Sequence, residues 1–255
     1  EGNLEELPKG NRLLENYLYF RKEVNTLDKA ERLFENFECL SMIEIQLNAQ
    51  DDPQKIFQSL NSTGLDLSQA DLIRNYVLMN LNHKDQEAFF KKYWSIIEKN
   101  CYSKQGLDSK LTPFFRDYLT FKVNKTPMLK RVFDDFKENY PSIHEGYQAL
   151  EILLQELKEL SMIYKNFIDH TQIEDREVAK KLRELHMTGI TVYYPFLLGV
   201  FRDWDQNKIS RIELLEIMDI VQSFIFRRYI TGYTSNALNR IFTVLRSNAW
   251  KVQQK

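Results

Sequence analysis

Chain reversals are made chiefly by glycine and proline, and this sequence holds only eight glycines and six prolines in 255 residues. Together they are about 5% of the chain, against an average near 12% for the two residue types. A sandwich or barrel of many strands needs those residues at each turn, so a large all-β domain is excluded. Collagen-like and Pro/Gly low-complexity chains are excluded for related reasons. Hydrophobic residues make up 43% and aromatics 13%, enough to build a core in place of a disordered chain. The length suits one large domain or two modest ones, and the composition predicts helices.

Lys and Arg number 35 and Asp and Glu 36, a formal net charge of −1. That balance excludes a protein that coats nucleic acid over its whole surface but leaves local patches open. Cys39 and Cys101 are too few and too far apart for a disulfide framework or a Cys-rich zinc site. Both are expected to be reduced core residues of a cytoplasmic protein. No apolar run approaches the ~20 residues of a membrane span, so no membrane partner is expected. Residues 1–6 are acidic and lack the apolar region of a signal peptide. They also lack a starting Met, so the chain is expected to be a piece of a longer protein. Asn61-Ser62-Thr63 and Asn124-Lys125-Thr126 match the glycosylation sequon, read as chance matches in a chain without a secretion signal.

Apolar residues at helical spacing run along nearly the whole chain. Residues 11–25 and 27–40 form two such stripes. The period then changes. Ile43, Ile45 and Leu47 alternate with polar residues, which predicts one short strand region near residues 42–48 that needs partners for its ladder. Asp52-Pro53 opens a helix ended by Asn61-Ser62-Thr63-Gly64. Ser68 with Asp71, Ser142 with Glu145 and Ser210 with Glu213 read as capping boxes at the starts of three helices. Further helices are predicted over 84–99, 109–122, from Thr126-Pro127, over 174–187, and from Ser235 to Asn248. The apolar run 189–202 contains Pro195 and is expected to be a buried, kinked helix. The fold expected is mainly α, a multi-helix bundle with that one short strand region.

Candidate chemistry is sparse. His83, His144, His170 and His186 have no His or Cys at ligand spacing, which points to surface or helix-end histidines and no metal site. There is no Walker-type loop and no nucleophile elbow, and no catalytic residue is assigned. Asp51-Asp52 and Asp134-Asp135 diverge as neighbours on a helix or turn, and read as solvated acids. Charge is unevenly placed. From Asp134 to Glu177 there are eleven acids and four bases, whereas from Ile220 to Lys255 there are six bases and no acid. Phe224, Phe226, Tyr229, Tyr233, Phe242 and Trp250 interleave with those bases, a pattern that suits phosphate contact. The same pattern suits core aromatics, with the arginines paired to the acidic helices. Around 52–80 the polar residues Asn61, Ser62, Thr63, Asp71, Arg74 and Asn75 gather at a helix-turn-helix corner. They suit either anion binding at a helix start or simple helix capping.

This stretch resembles the signature of the GmrSD-type, modification-dependent restriction endonuclease family, "F-x-x-[LI]-N-x-x-G-x-x-L-x-x-x-D-L-[IL]-[RK]-N". Here it comprises Phe57, Leu60, Asn61, Gly64, Leu67, Asp71, Leu72, Ile73, Arg74 and Asn75. A second stretch, Ser223-Phe224-Ile225-Phe226-Arg227-Arg228 through Thr234-Ser235-Asn236-Ala237-Leu238-Asn239, is similar to the family's "ESFLFRR…G…TNxLN" run. In that family a ParB-like domain with a DGQQR motif, linked to nucleotide hydrolysis, precedes a helical region, and an HNH-type nuclease domain often follows. This chain has neither DGQQR nor an HNH arrangement.

The resemblance therefore implies the end of the ParB-like domain over 1–82 and a helical domain over 83–255. It implies a protein that couples a nucleotide-dependent N-terminal domain to a C-terminal DNA nuclease. A nucleoside triphosphate and a divalent metal would serve the whole protein, with no cofactor in this chain. Asn61, Gly64, Asp71, Arg74 and Asn75 would support the nucleotide site. Arg227, Arg228, Asn236, Asn239 and Arg240 would face DNA. The partners implied are DNA and the N- and C-terminal domains of the same polypeptide. The rival is a helical protein-interaction scaffold that binds no nucleic acid.

Overall fold

The computed structural model describes residues 12–42, 44, 46, 56, 67–79, 81–102, 109–141, 143, 146–232 and 238–245. The chain divides into two compact units, 1–51 and 52–255.

In the first unit, α1 (Arg12–Glu23) and α2 (Leu27–Glu38) follow the two predicted stripes. Thr26 caps α2 by accepting from the Lys29 amide at 3.4 Å. No α2 residue is buried, and Phe20, Phe34 and Phe37 are exposed. Cys39, expected in a core, is exposed at the end of α2. The predicted strand is corrected where it is described. Met42, Glu44 and Gln46 adopt no strand, and Ile43, Ile45 and Leu47 lie outside the described residues. Alternation alone does not make a strand, because its backbone groups need a paired ladder. Among the described residues the β pairing is one isolated bridge, Tyr102 to Ser109.

In the second unit, α3 (Gln69–Leu78) starts at the predicted Ser68–Asp71 capping box. The helix Asp52–Leu60 and its Gly64 turn lie outside the described residues, apart from helical Ile56. α4 (His83–Phe89) runs through a π turn, Phe90–Trp94, into α5 (Ser95–Asn100). α6 (Leu111–Val123) ends at Asn124, whose φ of 52° is a left-handed cap. A single 3-10 turn, Leu129–Arg131, precedes α7 (Val132–Asn139).

α8 (Tyr147–Ile168) begins at Gly146, later than a start at Ser142 would place it. Ser142 and Glu145 lie outside the described residues. α9 (Arg176–His186) is capped by Asp175, and α10 (Tyr194–Asp205) follows. Pro195 does not kink α10. It sits in the first turn, where no intrahelical N–H bond is lost. α11 (Arg211–Ile230) starts at the predicted Ser210–Glu213 box. Residues 238–245 form α12, within the predicted last helix.

The core is built around α8. Leu150, Leu153, Leu154, Leu157, Leu160, Ile163, Tyr164 and Phe167 are buried at three- and four-residue spacing along one face. α5 packs on α8, α6 on α10, α9 on α11 and α3 on α7. Trp94 stacks on Phe115 with ring centroids 5.7 Å apart, and both rings are fully buried. Burying each such side chain contributes about 1.5–3 kcal/mol. α3 is part of this core. Ile73 and Val77 have no exposed surface, Gln69 Oε1 accepts from the Phe133 amide at 2.9 Å, and the Tyr76 hydroxyl donates to the Tyr140 carbonyl at 2.9 Å.

Candidate functional site

The first candidate is the corner at the start of α3. Ser68 and Asp71 are consumed by capping. The Asp71 amide donates to Ser68 Oγ at 3.1 Å, while Asp71 Oδ2 accepts from the Ser68 amide at 3.3 Å and its hydroxyl at 2.7 Å. The other carboxylate oxygen faces Arg74 at 3.4 Å. The same guanidinium reaches Glu98 Oε1 on α5 at 3.4 Å, and Glu98 also accepts from the Trp94 indole at 2.7 Å. Asp71, Arg74, Glu98 and Trp94 thus form a polar chain from α3 to α5. Asn75 is half-buried one residue on. Asn61 and Gly64 lie outside the described residues.

The second candidate is the C-terminal pair α11 and α12. Leu214, Met218, Val221 and Ile225 bury one face of α11, and Leu238 and Phe242 bury α12. Phe224 and Phe242 join the two helices with centroids 6.1 Å apart. Arg228 lies half-buried with its guanidinium 5.7 Å over the Phe224 ring. Arg227 and Arg240 are exposed, and Asn239 is half-buried. Asn236 lies outside the described residues. The core aromatics expected here are Phe224 and Phe242, whereas Phe226 and Tyr229 are exposed.

The acidic stretch finds its cations elsewhere. Glu151 pairs with Lys92 at 2.8 Å, and Arg211 holds Asp175 at 2.5 Å and Glu177 at 2.9 Å. That guanidinium pulls the Asp175 carboxyl down to about 2. Glu156 binds Lys122 at 3.0 Å and Arg202 at 2.8 Å, and accepts from the Tyr118 hydroxyl at 3.1 Å. Burial pushes Glu156 upward, but Lys122, Arg202 and Tyr118 outweigh it and hold the carboxyl below its ordinary range. Among the described residues, no acid pairs with Arg227 or Arg240. Arg227 and Arg240 are therefore not partners of the acidic stretch among the described residues.

Sequence reasoning missed the Glu156 cluster, which flanks an open groove of about 680 Å³ with Tyr93 and Ile152. Its members come from α6, α8 and α10, so no local spacing announces them. It also missed Asp117, which lies buried on α6. Among the described residues no group of three or more His, Cys, Asp or Glu is gathered that could hold a metal ion. His83 and His186 are exposed at helix ends, and His170 is half-buried in a 3-10 turn with its ring 6.3 Å from that of His186. His144 lies outside the described residues. Asp134 pairs with Arg131 at 3.7 Å. No described helix is long and apolar enough to cross a membrane.

No curated protein and no solved structure matches the chain. Residues 3–78 match the family described as GmrSD restriction endonuclease, N-terminal domain. The match ends at Leu78, the last residue of α3, so it runs past the unit boundary at Asp51 and into the second unit. Over residues 3–78, less than a third of its length, the chain is similar to the N-terminal domain of GmrSD restriction endonucleases.

Proposed function

We propose that this chain is the helical part of a GmrSD-like restriction and phage-defence protein, coupling a nucleotide-dependent N-terminal domain to a C-terminal DNA nuclease. It acts in the cytoplasm and contacts DNA through α11 and α12. The division of labour is the ParB-like end over 1–82 and the helical domain over 83–255. Nucleotide hydrolysis and strand cleavage, with their nucleoside triphosphate and divalent metal, belong to other parts of the polypeptide. Asn61, Gly64, Asp71, Arg74 and Asn75 brace the nucleotide-dependent side. Support for coupling comes from α3, where the family match ends inside the helical core. The chain Asp71–Arg74–Glu98 then carries a displacement of that corner to α5.

The observation that carries the DNA assignment is the exposure of Arg227 and Arg240 without carboxylate partners among the described residues, in a segment from Ile220 onward that holds no acid. Such cations attract phosphates and release counterions on binding. A mobility-shift assay with labelled duplex over a salt series tests this. Binding that is unchanged by Arg227→Ala with Arg228→Ala overturns the assignment of those residues. A second reading, a scaffold that binds protein alone, draws support from the exposed Phe20, Phe34 and Phe37 of the first unit. It predicts no shift of any nucleic acid.

A further inference from the structure

The last turns of α11 leave large rings uncovered. Phe226 is 56% exposed, Tyr229 67% and Ile230 66%. Positions three and four apart are neighbours on a helix surface, so these side chains form one cluster. Arg227 is exposed beside them. The Arg227 carbonyl is already satisfied by the Thr231 hydroxyl at 2.9 Å, and Gly232 then turns the chain away with φ of +68°. The helix end therefore does not need the Arg227 guanidinium as its cap. The contact of Phe224 with Phe242 brings α12 alongside, and α12 presents Arg240.

Phe226, Tyr229 and Arg227 are thus exposed on the last turns of α11 and Arg240 is exposed on the neighbouring α12, in an acid-free segment. The chemistry of a partner follows from both features together. A protein's apolar face would cover the rings but offers no charge to Arg227 and Arg240, which have no acid paired to them among the described residues. A closed duplex offers phosphates, but its bases are stacked on one another and show the protein no ring face. An unpaired strand offers both, because each base has an open π-face and each link carries a charge.

We propose that the C-terminal end of α11 with α12 binds an unpaired nucleic-acid strand, its bases stacked on Phe226 and Tyr229 and its phosphates held by Arg227 and Arg240. This rests on the nucleic-acid reading above and narrows its substrate to unpaired bases, whether a free strand or bases drawn out of a duplex. Unstacking such bases costs least where pairing is already weak, so the site would favour mismatched or opened segments.

Fluorescence anisotropy of the full chain tests it, with a labelled 20-residue oligothymidine and a labelled duplex of the same length. Phe226→Ala with Tyr229→Ala is expected to weaken oligothymidine binding by about tenfold or more, while duplex binding changes by less than about twofold. Tyr229→Phe keeps the ring and is expected to keep the affinity. Both rings are exposed, so thermal melting of the double variant should match the parent. Oligothymidine binding that ignores loss of both rings overturns the inference while leaving the duplex reading intact. Failure of the parent chain to bind either probe overturns both. If instead the double variant alters self-association on gel filtration and neither probe binds, the cluster is a protein interface and the inference fails.

Discussion

The Tyr164 hydroxyl donates a 2.9 Å hydrogen bond to Oδ2 of Asp117, inside the core between α6 and α8. Burial penalises the charged carboxylate more than Tyr164 and the nearby Arg116 compensate, and the Asp117 carboxyl is pushed up to about 7. Tyr194 of α10 also faces it, and adds no positive charge. The folded chain therefore binds a proton that the unfolded chain, with an ordinary aspartate, releases near pH 4. Where the folded state holds more protons, stability falls as pH rises.

Stability is accordingly expected to decline between about pH 4 and 7 through this group and to level off above it. Asp117→Asn removes the titration and keeps an acceptor for Tyr164. It should flatten that limb and stabilise the chain at pH 8 by roughly 2–4 kcal/mol. Urea unfolding of both proteins at pH 5 and pH 8 measures the difference, and parallel curves would count against the assignment.

Glu156 works in the opposite direction. Its carboxyl is lowered in the folded state, so its contribution is present above the ordinary glutamate range and is lost as pH falls through the folded value. Glu156→Ala strands Lys122, Arg202 and the Tyr118 hydroxyl around a partly buried site. Urea unfolding is expected to show a loss of about 1–3 kcal/mol at pH 7, and a loss that shrinks as pH falls through the folded value of the parent carboxyl.

The two faces of α8 should respond differently to the same kind of change. Leu157 has no exposed surface, whereas Ile152 is 64% exposed. Leu157→Ala is expected to cost about 2–5 kcal/mol by opening a cavity. Ile152→Ala should stay within about 0.5 kcal/mol of the parent. Chemical denaturation distinguishes them.

Each capping box carries a local share. In α11, Ser210 Oγ accepts from the Glu213 amide at 3.3 Å, and Glu213 Oε2 accepts from the Ser210 amide at 2.7 Å. Ser210→Ala should cost about 1 kcal/mol, a drop of roughly 2–4 °C in the melting temperature of a domain this size.

For duplex DNA, Arg227→Ala with Arg240→Ala should flatten the slope of log K against log salt by about 2, roughly 0.9 for each phosphate that is no longer neutralised. Substituting Arg211, already engaged by Asp175 and Glu177, should leave the slope unchanged. An equal effect from all three arginines would point to a diffuse field in place of a site.

The sequence by itself determined the helices and most of their starts. Ser68 with Asp71 and Ser210 with Glu213 form the capping boxes that their spacing announces, since a cap is made within one turn of chain. The family signature around Asp71, Arg74 and Asn75 was readable for the same reason. A local pattern is not sufficient where its meaning depends on its position in the element or on a distant neighbour. Pro195 breaks a helix only in its interior, and the alternation over 42–48 needed a neighbouring strand to give it meaning. Cys39 was expected in a core and is exposed, because residue type alone does not say which face another element covers.

Only the tertiary structure decided how the charges are shared. Glu156 meets Lys122 and Arg202, and Asp175 meets Arg211, so Arg227 and Arg240 stay exposed, with no acid paired to them among the described residues. Local hydrogen bonds and helical periodicity act over three or four residues and are written along the chain. Ion pairing and desolvation depend on which distant segments meet, and that is settled only when the helices pack.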